Sequence, residues 1–260
     1  QYIRHGWDLN HSIHIDVGNG KYPTFLDVVD ILPELLEKSE FSAQTKGDYI
    51  GSLVTRVESL TNGLLGQIFS ENAVEDSVMF DENTIVDLSR IGSTETKALL
   101  MGVIVLKLNE YRQSTATGTN CPLKHITILE EAHNLLKRTS TEQGQESSNV
   151  QGKSVEMISN SIAEMRTYGE GFIIVDQSPT AVDISAIKNT NTKIVMRLPE
   201  YNDCEAVGHS IGLNEEQILE LSKLDKGVAA VYQNSWLEAV LTKIDKCSDR
   251  YEIKSITQNN

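Results

Sequence analysis

The sequence predicts an α/β fold with a largely parallel sheet sandwiched by helices and a β-hairpin near its carboxyl end. Short β-branched, apolar runs recur along the chain and alternate with longer stretches of helical periodicity, the pattern of crossover-connected strands. Two of these runs lead directly into polar, chemically capable residues: Glu130-Glu131 after one, Gln177-Ser178-Pro179 after another. With 39% hydrophobic and 6% aromatic residues, 260 residues suffice for one substantial core and a small appendage.

Residues 1–83 read as a helical and irregular part, and 84–260 as the core. Within 1–23, His14 and Asp16 alternate with Ile13, Ile15 and Val17, a strand pattern rather than a metal site. Thr24 is placed to cap a helix to about residue 37, with Asp27 in its first turn and Pro33 expected to kink or split it. Tyr49, Ile50, Leu53, Val54, Val57 and Leu60 recur at helical spacing, with Asn62-Gly63 as a stop. Residues 70–83 are acidic and turn-like.

A strand is expected at 84–88, ending near Asp87. Ser93 then caps a long helix to about Arg112, apolar on nearly every side in its middle. A second strand covers 126–129. Residues 139–152 are almost wholly polar and read as a loop, followed by a helix over 154–168 that carries Arg166 in its last turn and stops at Gly169. Strands follow at 172–176 and 194–198, short helices at 201–209 and 215–221, and a hairpin over 228–232 and 237–244.

Composition narrows the function. A net charge of −14 argues against a broadly basic nucleic-acid surface, though a narrow basic channel formed on assembly stays compatible with it. Cys121, Cys204 and Cys247 lie far apart without a CxxC pair, so neither a zinc site nor a disulfide framework is expected, and a cytoplasmic location is. The longest apolar run, over 98–106, is too short to span a bilayer, and no membrane insertion is expected. A chain opening on Gln1 without a signal peptide reads as a fragment or processed product.

The chemistry centres on HITILEEAHN, residues 125–134. A buried strand that ends in adjacent acids sets them at the carboxyl edge of a sheet, where open α/β folds bind ligands. Glu130 can hold Mg²⁺ directly or through water, and Glu131 can polarise a water attacking a terminal phosphate. The plainer alternative is a strand whose end happens to be acidic. Gln177, after a strand placed beside this one, can hydrogen-bond both the attacking water and the phosphate. Arg166, near a helix end, can offer its charged fork to a phosphate. Asp87 either helps order a nucleotide or caps its own turn. Gly152-Lys153-Ser154 does not make a phosphate loop: Ser147 stands where the first glycine belongs, and no strand precedes it.

In this order, TIVDLSRIGSTETKALLMGVIVLKLNEYR, HITILEEAHNLL, AEMRTYGEGFIIVDQSP, NTKIVMRLPEYND and GVAAVYQNSWLEAVLTKI resemble the carboxyl-terminal part of HerA-type ATPases of the HerA–FtsK superfamily. The resemblance spans roughly residues 84–244. It implies a RecA-like P-loop core, homo-hexameric rings that bind ATP with Mg²⁺ between subunits, and DNA moved through a central pore, with a nuclease or other effector as partner. It maps the Walker B acid onto Glu130, the catalytic glutamate onto Glu131, the sensor glutamine onto Gln177 and a neighbour-reaching arginine onto Arg166. Two departures accompany it: Glu130 stands where Asp is commoner, and no Walker A loop is seen, so the chain by itself is expected to bind ATP weakly and to be inactive. Related readings are a conjugative or type IV secretion ATPase and a non-catalytic P-loop scaffold. A DEAH-type RNA helicase lacks its QxxGRxGR-like arginine motif here, and a zinc protease lacks HExxH and HxxEH.

Overall fold

A computed structural model describes residues 24–69, 74–138 and 146–246. The readings for His14, Asp16 and Cys247 lie outside them. The chain divides into two compact units, Gln1–Glu75 and Asp76–Asn260.

The first unit is helical throughout its described part. Helix α1 (Phe25–Glu37) opens on a complete capping box, Thr24 and Asp27 each bonding the other's backbone. Pro33 is accommodated inside α1 without splitting it. The second helical run begins earlier than its apolar spacing suggests, at the Ser42 cap. It passes through α2 (Ala43–Tyr49), a π-helical stretch (Ile50–Val54) and α3 (Thr55–Ser59). Helix α4 (Gly63–Ile68) follows the Asn62-Gly63 stop.

The second unit holds the sheet strands. Helix α5 (Asp76–Phe80) replaces the end of the acidic turn region. Residues 84–88, expected as a strand, take no regular secondary structure and, among the described residues, pair with no strand; Ile85 is 94% exposed. A β-branched composition favours extended backbone, but a strand also needs a neighbour, which local sequence cannot supply. Helix α6 (Thr94–Thr115) starts at the Ser93 cap, as expected, and buries Leu100, Val105 and Leu108, while Leu99 and Leu106 stay partly exposed.

Strands β1 (His125–Leu129) and β2 (Glu170–Ile174) form a parallel pair in the register His125↔Glu170 to Leu129↔Ile174. Between them runs α7 (Glu146–Met165), which begins within the stretch expected to be loop and carries Gly152-Lys153-Ser154 inside the helix. A backbone already closed into a helix cannot wrap a phosphate as a loop does. After the short turn Arg166–Tyr168, Gly169 takes the left-handed conformation (φ +88°) that turns the chain into β2, and a Cβ there would lie 2.4 Å from the Pro122 carbonyl oxygen.

Leu129, Phe172 and Ile174 face a core shared with Val105, Leu108, Leu136, Ile158 and Met165. On the opposite face Ile126, Ile128 and Ile173 are roughly half exposed, so the described chain covers this sheet on one side only. A second core gathers Val195, Leu198, Cys204, Val207, Ile211, Ile218 and Leu221. It lies against an antiparallel sheet, β3 (Thr192–Val195), β4 (Val228–Gln233) and β5 (Val240–Lys243). The hairpin is thus present with a wider turn, and the strand expected at 194–198 is shorter and pairs with it antiparallel. Helices α8 (Ile184–Asn189), α9 (Tyr201–Ser210) and α10 (Glu215–Leu221) complete the unit.

A buried polar cluster sits at the amino-terminal edge of β1 and β2. Arg112, 4% exposed, donates through Nε to Glu170 (2.8 Å), through Nη1 to Asp81 (2.7 Å) and through Nη2 to the Phe80 carbonyl. Thr127 Oγ1 donates to the other Glu170 oxygen at 2.6 Å, and His125 Nδ1 lies 2.8 Å from it. Breaking a buried pair strands the surviving charge. Arg112→Met is therefore expected to cost about 3–5 kcal/mol in urea unfolding, and Arg112→Met with Glu170→Gln together less than the sum of the two single changes. A loss under about 1 kcal/mol, the range of exposed pairs, would show the pair to be dispensable.

Candidate active site

Parallel pairing sends both strands out of the sheet at the same edge, and everything at the site follows from this. Val175 N–H donates to the Leu129 carbonyl at 2.9 Å and Ala132 N–H to the Val175 carbonyl at 3.2 Å, so the ladder continues past both strands. Further on, Arg138 N–H donates to the Ala181 carbonyl and Asp183 N–H to the Leu136 carbonyl, each at 2.8 Å. Segments 130–138 and 175–183 are thereby laid side by side. Between them is a cleft of about 380 Å³ lined by Glu130, Glu131, His133, Asp176, Gln177 and Ser178, with Val175 and Ala181.

Glu130 and Glu131 are both exposed. Glu131 has φ 49° and ψ 51°, the left-handed region, immediately before the 3₁₀ turn Ala132–Asn134. For a residue with a Cβ this conformation costs roughly 1–2 kcal/mol. Asn134 Nδ2 donates to the Glu131 carbonyl at 3.0 Å and comes within 3.5 Å of its carboxylate. Two neighbouring acids on one strand would point to opposite faces; the left-handed turn at the second lets both line one cleft.

Asp176 is the site's best-held acid. Its Oδ2 accepts from the His133 backbone N–H (2.8 Å) and lies 2.9 Å from His133 Nδ1, while its Oδ1 accepts from Ser178 N–H (2.9 Å). Burial pushes its carboxyl up, but the Ser178 and His133 N–H groups outweigh that and hold it below the ordinary aspartate value.

No protein-family model matches the chain. Over 182 residues it is 26% identical to the DNA double-strand break repair helicase HerA of Sulfurisphaera tokodaii, covering 68% of this chain and 34% of that protein. Over 177 residues it is 27% identical to the protein of the same name from Sulfolobus acidocaldarius, covering 66% and 33%. The chain is similar in sequence to these HerA helicases. It spans about a third of the length of these curated relatives. In fold it matches VirB4 of Thermoanaerobacter pseudethanolicus with a TM-score of 0.66 at 13% identity, over 90% of this chain and 58% of that one.

In this HerA-like chain the structure brings Glu130, Glu131 and Gln177 together and leaves Arg166 and Asp87 apart from them. Arg166 is exposed at the start of the turn that leads through Gly169 into β2, at the sheet edge opposite the cleft. A five-residue strand separates the two edges by roughly 16 Å. Asp87 accepts from Ser89 N–H at 2.8 Å, and this bond, with the Ser89 hydroxyl, holds its carboxyl below the ordinary range. It caps its own turn. Sequence reading passed over Asp176 and His133, although Asp176 ends a strand just as Glu130 does.

An acid kept at a left-handed position that glycine would occupy without strain is a sign of use rather than stability. Glu131→Gly is expected to leave folding stability unchanged or raise it by about 1 kcal/mol in urea unfolding. A loss above that size would make Glu131 a structural residue.

Proposed function

We propose that this chain forms part of a HerA-type motor that hydrolyses ATP, with Glu130, Glu131 and Gln177 at its phosphate end. One observation carries the reading: the β1–β2 register sets both glutamates and the glutamine around a single cleft. The sequence relation to HerA supports it.

Hydrolysis of the terminal phosphate needs a water aligned with the bond that breaks, and catalysis is mostly positioning and electrostatics. Glu131 accepts a hydrogen bond from that water and takes its proton as the oxygen–phosphorus bond forms and ADP leaves. Gln177, with both a donor and an acceptor on its amide, spans the water and the terminal phosphate. Mg²⁺ takes one or two carboxylates together with waters and phosphate oxygens; Glu130, beside Glu131, fits that donor set and would hold the ion, which neutralises phosphate charge. Arg166 stands at the far sheet edge, a placement that suits action on a neighbouring subunit of a homo-hexameric ring and not on its own cleft. DNA is the proposed cargo, on the strength of the HerA relation. The net charge of −14 favours a second reading, a secretion-type ATPase that moves protein or a DNA–protein complex. Turnover stimulated by DNA and weakened by salt separates the two.

The two glutamates predict opposite losses in the full natural protein. Glu131→Gln keeps Mg-ATP affinity and lowers turnover by about 10²-fold or more, whereas Glu130→Gln weakens Mg-ATP binding itself. Calorimetry and phosphate release measure both. Normal turnover by Glu131→Gln would reduce the pair to an acidic strand end and sink the motor reading.

For Arg166, a charge supplied across a subunit boundary contributes about 10³-fold or more in rate. Arg166→Ala subunits mixed with Glu131→Gln subunits should then recover turnover that neither variant shows alone. Turnover of Arg166→Ala within a few-fold of wild type would move the role to another arginine such as Arg197.

A further inference from the structure

The turn that follows Gln177 is held from outside the cleft by one buried acid. Asp203, 5% exposed, lies in the first turn of α9. Its Oδ1 accepts from Thr180 N–H (2.9 Å) and Thr180 Oγ1 (2.7 Å), and Ser178 Oγ donates to the carboxylate at 3.1 and 3.2 Å from its two oxygens. These donors are two hydroxyls and an amide from two residues, Ser178 and Thr180, with no cation among them. A buried carboxylate is costly unless every partner is in place, so the turn and α9 are held in one arrangement.

Gln177 depends on that arrangement. Among the described residues its side chain makes no hydrogen bond, so only its backbone positions it. On one side Asp176 accepts from Ser178 N–H; on the other Asp203 grips Ser178 and Thr180. Helix α9 is in turn fixed by Cys204 and Val207 in the second core, which packs on β3 and β4.

We propose that Asp203 is a positioning residue for Gln177, holding the 178–180 turn so that the glutamine lines the cleft and tying the cleft to α9 and the antiparallel sheet. The proposal rests on the ATPase reading above. It gives Asp203 an effect on the chemical step that a merely stabilising acid lacks. A displaced catalytic group costs far more rate than binding.

The test uses the full natural protein. Asp203→Asn preserves shape but turns an NH₂ group toward donors. It should lower kcat for ATP about tenfold or more, with KM changed less than about threefold. Gln177→Ala should lower kcat at least as far, and the double variant should be no slower than Gln177→Ala alone. Additive losses would overturn the proposal, because Asp203 would then act through something other than Gln177. Hydrogen exchange gives a readout that needs no turnover: the Thr180 amide should exchange about tenfold faster in Asp203→Asn, with the β1 and β2 amides unchanged. Unchanged exchange at Thr180 overturns the pinning itself. If Asp203→Asn does not fold, Thr180→Val removes one donor, keeps the acid and enters the same cycle with the same expected outcomes. A wild type that hydrolyses no ATP overturns the proposed function and the catalytic role of Gln177 with it, and the exchange result then shows separately whether Asp203 holds the turn.

Discussion

The Glu170 carboxylate at the first residue of β2 receives Arg112 on one oxygen and Thr127 and His125 on the other. Since a carboxylate only accepts, the facing His125 Nδ1 carries its proton. These contacts join α6, β1 and β2 and reach α5 through Asp81 and the Phe80 carbonyl. A slip of one residue along either strand would draw Glu170 away from donors that have no water to replace it. Burying such charges contributes little net stability, because desolvation offsets most of the attraction. Its consequence is register. With Glu170 fixed opposite His125, Ile174 falls opposite Leu129, and the cleft residues follow at once on both strands.

The two ends of the parallel pair therefore divide the work. At the amino-terminal edge Arg112 and Glu170 are buried and satisfied by each other and by their neighbours, which suits a fixed point. At the carboxyl edge Glu130, Glu131 and Gln177 are exposed, and the second glutamate sits in a strained backbone conformation. Exposed acids beside one another repel, and water screens that repulsion. Asp176 and Asp203 lie between these extremes. Both are held by short-range donors, and they fix the two flanks of the Gln177 turn, one from the Glu131 side through His133 and one from α9.

Half of the parallel pair's surface is apolar and open in the described chain, through Ile126, Ile128 and Ile173. Apolar residues at both phases of a strand belong to sheets covered on two sides, and the sequence accordingly reads as a doubly covered sheet. The structure shows cover on the face built from Leu129, Phe172 and Ile174.

What the sequence determined by itself was local. Helix starts at Thr24 and Ser93 were legible because a cap is made within three residues. The strands expected at 126–129 and 172–176 form at 125–129 and, two residues earlier than expected, at 170–174; they and the hairpin were legible because β-branched runs favour extended backbone whatever lies around them. Glu130, Glu131 and Gln177 were legible as strand-end residues, since chain direction and strand length place them at an edge. Tertiary structure decided the rest. The partners in Arg112–Glu170 and His133–Asp176 are 58 and 43 residues apart in sequence, and no local period encodes which of many possible pairs will meet. Among the described residues, 84–88 join no sheet for the same reason: a strand needs a neighbour, and local composition does not supply one. The side of the sheet to which Arg166 belongs, and the grip of Asp203 on the turn beside Gln177, exist only once separate elements have packed.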